Sequence, residues 1–495
     1  MKIKPIDATP SSTLYEQVAD RIRTLISEGT LQDGDRLPSV RKLHQQLSIS
    51  ISTVLEAYRS LEDQGVIEAR PQSGYFVKPV HLNPPDEPHQ CTLPKQALPV
   101  DISLAFRVSE TMRDTCNVGL GTAVPGIELL PVDALNRLMG KILRTNPALL
   151  HTYSPSNGCE ALRHEVAKRL MEAGCSLSPD DLVITNGATE AIHLALRAVT
   201  KPGDIVAIES PTYYGFLEIL ESLHLKALEI STHPKDGISL EQLEIALEQR
   251  PIAACLLVSN FSNPLGSCMS DSKKKHLLEL LERYDVPLIE DDTYGETFLS
   301  GHRPKAIKAF DTTERVLYCA SVSKTLSPGL RIGWCAPGRY QMKVQQLKMA
   351  MNWTTAIAPQ LTVAAFLSTG SYDRHLRHLR RAYQAQLSRM TQAICEYFPC
   401  PTRVTRPGGG HVLWLELPNE FDAMALYEKA LEHRISVAPG NMFSPSGNYT
   451  NCLRLNCGLP WSQTINDAMQ TLGSLVKQQL AKKMLGVEER NDGLE

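Results

Sequence analysis

Lys324 is the residue whose surroundings point most clearly to chemistry. It follows the apolar run Val316–Ala320, which is typical of a buried parallel strand, and it lies on a loop of small residues. Open α/β sheets place their reactive groups at the carboxyl ends of such strands. The hydroxyls of Ser321 and Ser323 and the guanidinium of Arg331 flank the lysine, and this set suits a phosphate. Taken alone, Lys324 is better explained as an ordinary solvated lysine on a strand-to-helix loop.

Other predicted strands also end in residues that could bind a ligand. A glycine turn containing Ala188 and Thr189 leads into a helix, whose backbone N–H groups and threonine hydroxyl could hold a phosphate. Tyr213 follows the next strand, where its ring could stack on a planar ligand or simply lie on the surface. Asn263 follows a third strand and has an amide to offer to a phenolic oxygen.

Three acidic residues, Glu290, Asp291 and Asp292, end a fourth predicted strand, and Tyr294 follows them. Carboxylates at this position indicate a binding site, with a metal ion as the alternative to an organic cation. No further set of carboxylates converges on them in the sequence, so we expect no metal. The residues alone leave all three carboxylates as candidates for the functional group.

Pyridoxal 5'-phosphate is one ligand that uses all of these groups together. It requires a lysine for its Schiff base and a carboxylate that keeps its ring nitrogen protonated. It also requires donors to its phenolic oxygen, an aromatic ring against its own ring, and a phosphate-binding loop. We therefore predict pyridoxal 5'-phosphate as the cofactor.

The composition limits the kind of protein that positions these residues. A chain of 495 residues predicts about three domains, and a net charge of -3 gives no overall reason to expect nucleic acid or membrane binding. The twelve cysteines are scattered without zinc-ligand or disulfide spacing, and no apolar signal segment follows Met1. We expect reduced thiols and a cytoplasmic protein with no membrane segment.

Residues 1–78 predict a separate small module. Two helices, a short turn, a third helix and a hairpin follow in the order of a winged helix-turn-helix, whose third helix enters the major groove of DNA. The module as a whole has ten basic and ten acidic residues. Between positions 36 and 60, however, there is a single acidic residue, Glu56, against four basic ones: Arg36, Arg41, Lys42 and Arg59. A DNA-binding face is one interpretation, and a helical module for protein contacts is the other.

The rest of the chain predicts an α/β protein. Residues 79–109 form a proline-rich linker, and residues 110–480 form a large domain with a mainly parallel sheet and a smaller C-terminal α+β domain. Residues 481–495 are a polar tail.

The first module resembles the GntR-type DNA-binding domain. The resemblance rests on Leu37–Leu43, Ser52–Val54, Ala57-Tyr58, Leu61-Glu62 and Gly65–Ile67. It implies that the residues that bind DNA are Arg36, Ser39, Arg41, Ser50, Ser52, Thr53 and Gly74. The family usually has an arginine where this chain has Ile51, and this departure removes one expected contact with DNA.

Residues 110–480 resemble fold-type I aminotransferases, because Asp291-x-x-Tyr294 is followed thirty residues later by Ser-x-Ser-Lys. The resemblance implies that Lys324 forms the Schiff base and that Asp291 pairs with the ring nitrogen. It further implies the roles of the remaining cofactor residues: Asn263 and Tyr294 at the phenolic oxygen, Tyr213 as the stacking ring, and Ala188, Thr189, Ser321, Ser323 and Arg331 at the phosphate.

Two further residues are assigned by the same resemblance. Tyr153 matches a tyrosine that reaches the phosphate of the neighbouring subunit, which implies a homodimer. Arg454 matches the arginine that binds a substrate carboxylate, although a surface arginine on a strand is the alternative.

The order of parts over the whole chain resembles the MocR subfamily of bacterial transcriptional regulators. This implies a nucleoid-associated transcription factor whose partners are double-stranded DNA and an amino-compound effector. The effector would convert the internal Schiff base on Lys324 to an external one, and the freed lysine would alter domain closure. A working aminotransferase with an ancillary DNA-binding module is the alternative, and a pure interaction scaffold would leave the cofactor residues unexplained.

Overall fold

A computed structural model describes residues 13–27, 30–31, 34–70, 73–77, 85–90, 96–112, 114 and 116–491. The chain divides into two compact units, the first consisting of Met1–Pro84 with Gln384–Glu396 and the second of Pro85–Tyr383 with Tyr397–Glu495. None of the helices within the described ranges is both long enough and apolar enough to cross a membrane.

The first unit contains the predicted helix-turn-helix and its hairpin. Its elements are α1 (Leu14–Ser27), α2 (Val40–Leu47), α3 (Ile51–Asp63), β1 (Ile67–Arg70) and β2 (Gly74–Val77). Serine caps start the second and third helices: the Ser39 side chain accepts a hydrogen bond from the N–H of Lys42, and the Ser50 side chain accepts one from Thr53. Ser48, in the left-handed conformation with φ of 55°, turns the chain between them.

A small core holds this module together. Apolar side chains at helical spacing from all three helices meet the hairpin, and Leu43, Val54 and Leu61 are fully buried. The buried Tyr58 packs edge-on against Tyr75 at 4.9 Å and donates a hydrogen bond to the carbonyl oxygen of Pro38. The third helix is thereby fixed both to the hairpin and to the start of the second helix.

The second unit contains the remaining helices and strands, except that Gln384–Glu396 of α14 belong to the first unit. Its helices are α4 (Ser103–Met112), α5 (Val132–Thr145), α6 (Pro147–Leu150), α7 (Glu160–Glu172), α8 (Ala188–Val199), α9 (Tyr214–Ser222), α10 (Leu240–Gln249), α11 (Asp271–Arg283), α12 (Gln341–Asn352), α13 (Ile357–Leu367), α14 (Ser371–Tyr397), α15 (Ala423–Glu432) and α16 (Gln463–Asn491). Its strands are β3 (Leu98–Pro99), β4 (Val118–Gly119), β5 (Val183–Thr185), β6 (Ile205–Ser210), β7 (Lys226–His233), β8 (Gly237–Ile238), β9 (Ile252–Leu257), β10 (Leu288–Asp291), β11 (Val316–Ser321), β12 (Gly333–Ala336), β13 (Arg403–Val404), β14 (Val412–Glu416), β15 (Ile435–Ser436), β16 (Ala438–Pro439) and β17 (Cys452–Asn456).

The main sheet confirms the predicted α/β architecture. Within the described ranges its strand order is β3-β7-β6-β9-β10-β11-β12-β5, with β8 paired to β7. The strands from β7 to β11 are parallel, whereas β12 runs antiparallel to both of its neighbours. The central strands are buried on both faces, which explains their nearly continuous apolar sequences.

The smaller α+β domain is also present. Its sheet has the order β13-β14-β17-β16, and all of these pairs are antiparallel. Helix α4 begins inside the segment predicted as linker, and α16 continues to Asn491, inside the segment predicted as tail. The predicted linker boundary at 109 therefore falls within a helix.

Candidate functional site

A cavity of about 130 Å³ lies at the carboxyl ends of the central strands in the second unit. Ten of the predicted cofactor residues line it: Ala188, Thr189, Tyr213, Asn263, Asp291, Tyr294, Ser321, Ser323, Lys324 and Arg331. Residues far apart in sequence meet here because parallel strands bring their carboxyl ends to one edge of the sheet.

Lys324 lies just beyond β11, and its Nζ donates a hydrogen bond to the carbonyl oxygen of Ala123 at 2.6 Å. Burial and, to a smaller extent, the positive charge of Arg454 lower the pKa of Lys324 to about 8, against the opposing effect of Asp291. A lysine of this kind has a substantial neutral fraction near neutral pH, which is the form that attacks a carbonyl carbon.

The adjacent carboxylates of Asp291 and Asp292 have different hydrogen-bond partners. Asp291 lines the cavity and accepts hydrogen bonds from the N–H of Thr293 at 2.9 Å and from its hydroxyl at 2.5 Å. Burial raises the pKa of Asp291 to about 6, although the two Thr293 hydrogen bonds lower it. Asp292 instead accepts hydrogen bonds from Arg303 at 2.7 Å and from the Tyr318 hydroxyl at 2.9 Å.

Asn263, Tyr294 and Arg454 form a connected group at the cavity. The Asn263 amide lies 3.4 Å from the Tyr294 hydroxyl, and its oxygen accepts a hydrogen bond from Arg454 at 3.1 Å. Arg454 comes from β17 of the smaller domain, is fully buried, and also donates to the carbonyl oxygen of Gly121. Its Nε has no hydrogen-bond partner within the described residues, so this guanidinium can still bind an anion.

The predicted phosphate loop lies next to β12. Gly333 of this strand pairs with Ser321 on one side and with Thr185 on the other, which brings the loop after β11 next to the start of α8. A side chain at Gly333 would place its Cβ 2.5 Å from the backbone of Gly187, so only glycine fits this close approach.

The five groups around that loop suit a phosphate. Arg331 has a positive φ of 52° and donates to the carbonyl oxygen of Asn186 at 3.0 Å, which places its guanidinium against Gly187. The N-terminus of α8 and the hydroxyls of Thr189, Ser321 and Ser323 complete the cavity wall. The residues present therefore fit the phosphate, ring nitrogen and phenolic oxygen of pyridoxal 5'-phosphate.

The other two predicted tyrosines lie in different places. Tyr213 lies half-buried in the cavity wall, where its ring packs against Tyr214 at 4.9 Å and Phe216 at 5.6 Å. Tyr153 does not line the cavity; 83% of its surface is exposed, and its ring lies 6.1 Å from that of Trp353.

Several residues of the site were not predicted from the sequence. Thr293 orients Asp291, the Tyr383 hydroxyl donates to the carbonyl oxygen of Lys324 at 3.1 Å, and His411 stacks on Tyr383 at 4.7 Å. Burial and the charge of Lys324 lower the pKa of His411 to about 3, so its ring is neutral. The Asp-x-Thr spacing is a local hydrogen-bonding signal that the sequence does contain, whereas Tyr383 and His411 lie on distant elements.

The predicted DNA-binding residues lie at the ends of helices and at the hairpin of the first unit. Arg36, Ser39, Arg41, Ser50, Ser52 and Gly74 are exposed, and Thr53 is half-buried. The Ser50 hydroxyl lies 2.7 Å from those of both Ser52 and Thr53, so the three form one cluster at the start of α3. A Cβ at Gly74 would lie 3.5 Å from the Arg36 side chain, which places this arginine beside the hairpin turn.

Comparison with known proteins gives both units a family. Residues 14–77 match "Bacterial regulatory proteins, gntR family", and residues 132–472 match "Aminotransferase class I and II". Two Escherichia coli K12 proteins, the uncharacterized HTH-type transcriptional regulators YjiR and YdcR, are each 41% identical, over 94% of this chain and 99% of their own length. The α-aminoadipate aminotransferase LysN of Thermus thermophilus, solved with N-(5'-phosphopyridoxyl)-L-leucine, covers 76% of this chain and 97% of its own, with 28% identity and a TM-score of 0.70.

The chain is thus a regulator in which a GntR-type helix-turn-helix precedes a class I and II aminotransferase domain. Within that class it belongs to the HTH-type transcriptional regulators of the MocR type. The predicted DNA-binding function and the predicted cofactor, pyridoxal 5'-phosphate, are confirmed at the level of the family and fold.

Proposed function

We propose that this regulator senses an amino compound in the cavity at Lys324 and changes its DNA binding in response. One observation carries the proposal: the lysine, the carboxylate, the asparagine–tyrosine pair and a buried arginine line or border a single cavity in a chain that also carries a DNA-binding unit. When bound, pyridoxal 5'-phosphate supplies an aldehyde that condenses with primary amines and a ring that withdraws electrons.

The residues of this chain would hold the cofactor and tune it. Lys324 carries the amine that attaches it, and the lowered pKa makes that amine available near neutral pH. Asp291 would hold a proton on the ring nitrogen, because Thr293 fixes its carboxylate towards the cavity. Asn263 and Tyr294 would donate hydrogen bonds to the phenolic oxygen.

Arg454 indicates the class of effector. It is fully buried, has an unpartnered Nε, and stands beside Asn263. A buried guanidinium in this position binds a carboxylate through two parallel hydrogen bonds. We therefore infer that the effector is an amino acid rather than a simple amine.

The DNA-binding residues are assigned by the same reasoning. Arg36 and Arg41 carry charge to the phosphates, and the hydroxyl cluster at the start of α3 lies where such a helix meets the major groove. Ser39 and Gly74 would bring backbone N–H groups close to the phosphates at the helix end and the hairpin turn.

We also propose a homodimer. Tyr153 and Trp353, 83% and 54% exposed, lie together on the surface with their ring centroids 6.1 Å apart. Large apolar side chains grouped on a surface mark an interface. Light scattering of the wild-type protein should give a mass of twice 54.8 kDa, and the Trp353→Glu variant should give the mass of one chain, 54.8 kDa. A single mass for the wild-type protein would contradict the dimer.

Effector recognition can be tested spectroscopically. Each of the common amino acids is added to the cofactor-loaded protein while the cofactor absorption is followed. We expect a saturable change with a subset of amino acids and an affinity on the order of a hundredfold lower in Arg454→Lys, because lysine keeps the charge but loses the two parallel bonds. Equal affinity in the variant, or equal response to the matching decarboxylated amines, would overturn the amino acid assignment.

A genuine aminotransferase is the second candidate, because the cavity lacks none of the groups that transamination requires. The discriminating measurement is multiple turnover with a responding amino acid and a keto acid. Multiple turnover by the wild-type protein that is abolished in Lys324→Ala would support an enzyme. A single response of the cofactor per chain, without further turnover, would support a sensor.

A further inference from the structure

A second cavity, of about 410 Å³, lies in the same unit and outside the cofactor cavity. Helix α7, the segment from Phe298 to Arg303 and the first half of α14 form its walls. Its lining is dominated by the guanidinium groups of Arg169, Arg303, Arg377 and Arg380, and we call it the arginine cavity.

Two of these arginines are held by carboxylates. Arg169 lies 2.5 Å from Asp373, 2.8 Å from Glu296 and 3.0 Å from Glu172. Arg303 lies 2.7 Å from Asp292. The side chain of Arg303 is only 6% exposed, yet its Nε has no hydrogen-bond partner among the described residues. A buried and unused N–H donor in a cavity wall is the kind of group that a ligand satisfies.

The other two arginines have no carboxylate within 4.0 Å in the part of the chain that the structure describes. Arg377 and Arg380 are three residues apart on α14 and so share one face of the helix. Arg380 donates its Nε to the carbonyl oxygen of Glu296 at 2.7 Å and stacks 3.7 Å over the ring of Phe298. Burial lowers the pKa of Arg380, as expected of a cation that is only partly neutralised.

The charges of the arginine cavity are therefore unevenly distributed. Four carboxylates, Glu172, Glu296, Asp373 and Asp292, equal the four guanidinium groups in number, but three of them surround Arg169. The turn of α14 that carries Arg377 and Arg380 is left positive, because Asp373 on the same helix is paired with Arg169. An anion bound there would pair with guanidinium groups that have planar donors to spare.

The arginine cavity is connected to the cofactor site by two short chains of contacts. Arg303 holds Asp292, which directly follows Asp291. Arg169 lies 5.0 Å over the ring of Tyr372, whose hydroxyl donates to Thr325, the residue after Lys324, at 3.0 Å. A ligand that moved either arginine would therefore act on a neighbour of the two central cofactor residues.

We propose that the arginine cavity binds a small organic anion, a carboxylate or a phosphate ester, and that its occupancy alters the environment of the cofactor. The site is separate from the effector cavity and uses no amine chemistry. If the arginine cavity binds no anion, the proposal that the other cavity senses an amino acid is therefore unaffected.

Binding can be measured by calorimetry on the full-length, cofactor-loaded protein, in which the phosphate loop is already filled. Citrate and inorganic phosphate serve as probes at constant ionic strength, with chloride as the reference. We expect saturable binding of at least one probe, and about a tenfold loss of affinity in each of Arg377→Ala and Arg380→Ala. Preference for citrate would indicate a carboxylate ligand, and preference for phosphate a phosphate ester.

Arg374→Ala is the matched control, because Arg374 is exposed on the same helix and does not line the cavity. It should bind the probe as the wild type does, and thermal melting should show that all three variants are folded. Absence of saturable binding, or equal affinity in all variants, would overturn the site. Binding without any change in the absorption or circular dichroism of the cofactor would overturn the connection to the cofactor.

Discussion

At the scale of single residues, the assignment of Lys324 can be tested by the pH dependence of cofactor attachment. Burial gives this lysine a pKa of about 8 instead of 10.5, so the folded protein releases its proton more readily than the unfolded chain. The rate at which the protein without cofactor becomes covalently loaded should rise between about pH 7 and about pH 9. Borohydride fixation and mass spectrometry of the Lys324 peptide would measure this rate.

The control for that measurement is Lys324→Ala, which should retain the fold but yield no fixed cofactor on this peptide. Fixation on another lysine in the wild-type protein would contradict the assignment. A loading rate that begins to rise only near the ordinary pKa of lysine would contradict the lowering of the Lys324 pKa by burial.

The neighbouring carboxylates give a paired prediction. Asp291→Asn should weaken cofactor binding by more than about tenfold with little loss of stability, because only Thr293 loses a partner. Asp292→Asn should instead lower the free energy of unfolding by about 3 kcal/mol, since the Asp292–Arg303 pair is 0% and 6% exposed. Cofactor titration and urea unfolding would separate these effects, and the reverse result would assign the ring nitrogen to Asp292.

The sequence predicted a chemistry for these residues but not their partners. The aminotransferase resemblance favoured Asp291 over Asp292 through the spacing to Tyr294, and the structure gives the two carboxylates different neighbours. Arg454 was assigned only by resemblance, since nothing near it in sequence shows that it reaches Asn263. Such long-range contacts depend on packing between domains, which a local pattern does not encode.

At the scale of secondary structure, β12 determines how the phosphate loop is built. Gly333→Ala would push a methyl group to 2.5 Å from the Gly187 backbone and 2.8 Å from the N–H nitrogen of Ala188. We expect about a tenfold loss of cofactor affinity, because this backbone must shift. Gly329→Ala, with only Ser327 within 4 Å, is the control. Equal affinities in the two variants would show that the loop does not depend on this contact.

The start of α3 allows a gain-of-function prediction. Ile51, the first residue of that helix, is 44% exposed and stands where the family usually has an arginine. Ile51→Arg should raise DNA affinity and steepen the decrease of log affinity with log salt by about 0.9, as one added phosphate contact would. Anisotropy titrations at several salt concentrations would measure this, with Ile51→Gln as the uncharged control. An unchanged slope would mean that position 51 does not face DNA.

Sequence patterns predicted the strands that end at the cofactor cavity, but they missed β7 and β12. Continuous apolar runs such as the one in β11 are recognisable because both faces of the strand are buried. β12 has four residues, contains a glycine and runs antiparallel between β11 and β5, so its short sequence shows neither a long apolar run nor alternation. The site was therefore predicted without the strand that brings its two halves together.

At the scale of the whole molecule, the central claim is that an amino acid in one unit controls DNA binding by the other. The order of units was readable from the sequence, because helix-turn-helix spacing and βαβ alternation are both local patterns. The effector and the operator DNA could not be predicted from the sequence, because recognition of each depends on a surface formed by several elements.

The most direct test is footprinting of the cofactor-loaded protein on the DNA upstream of its own gene, with and without an amino acid that changes the cofactor absorption. We predict specific protection whose extent or position changes when the amino acid is added, and no such change in Lys324→Ala. Protection that is identical with and without the amino acid, or absent under both conditions, would contradict the account.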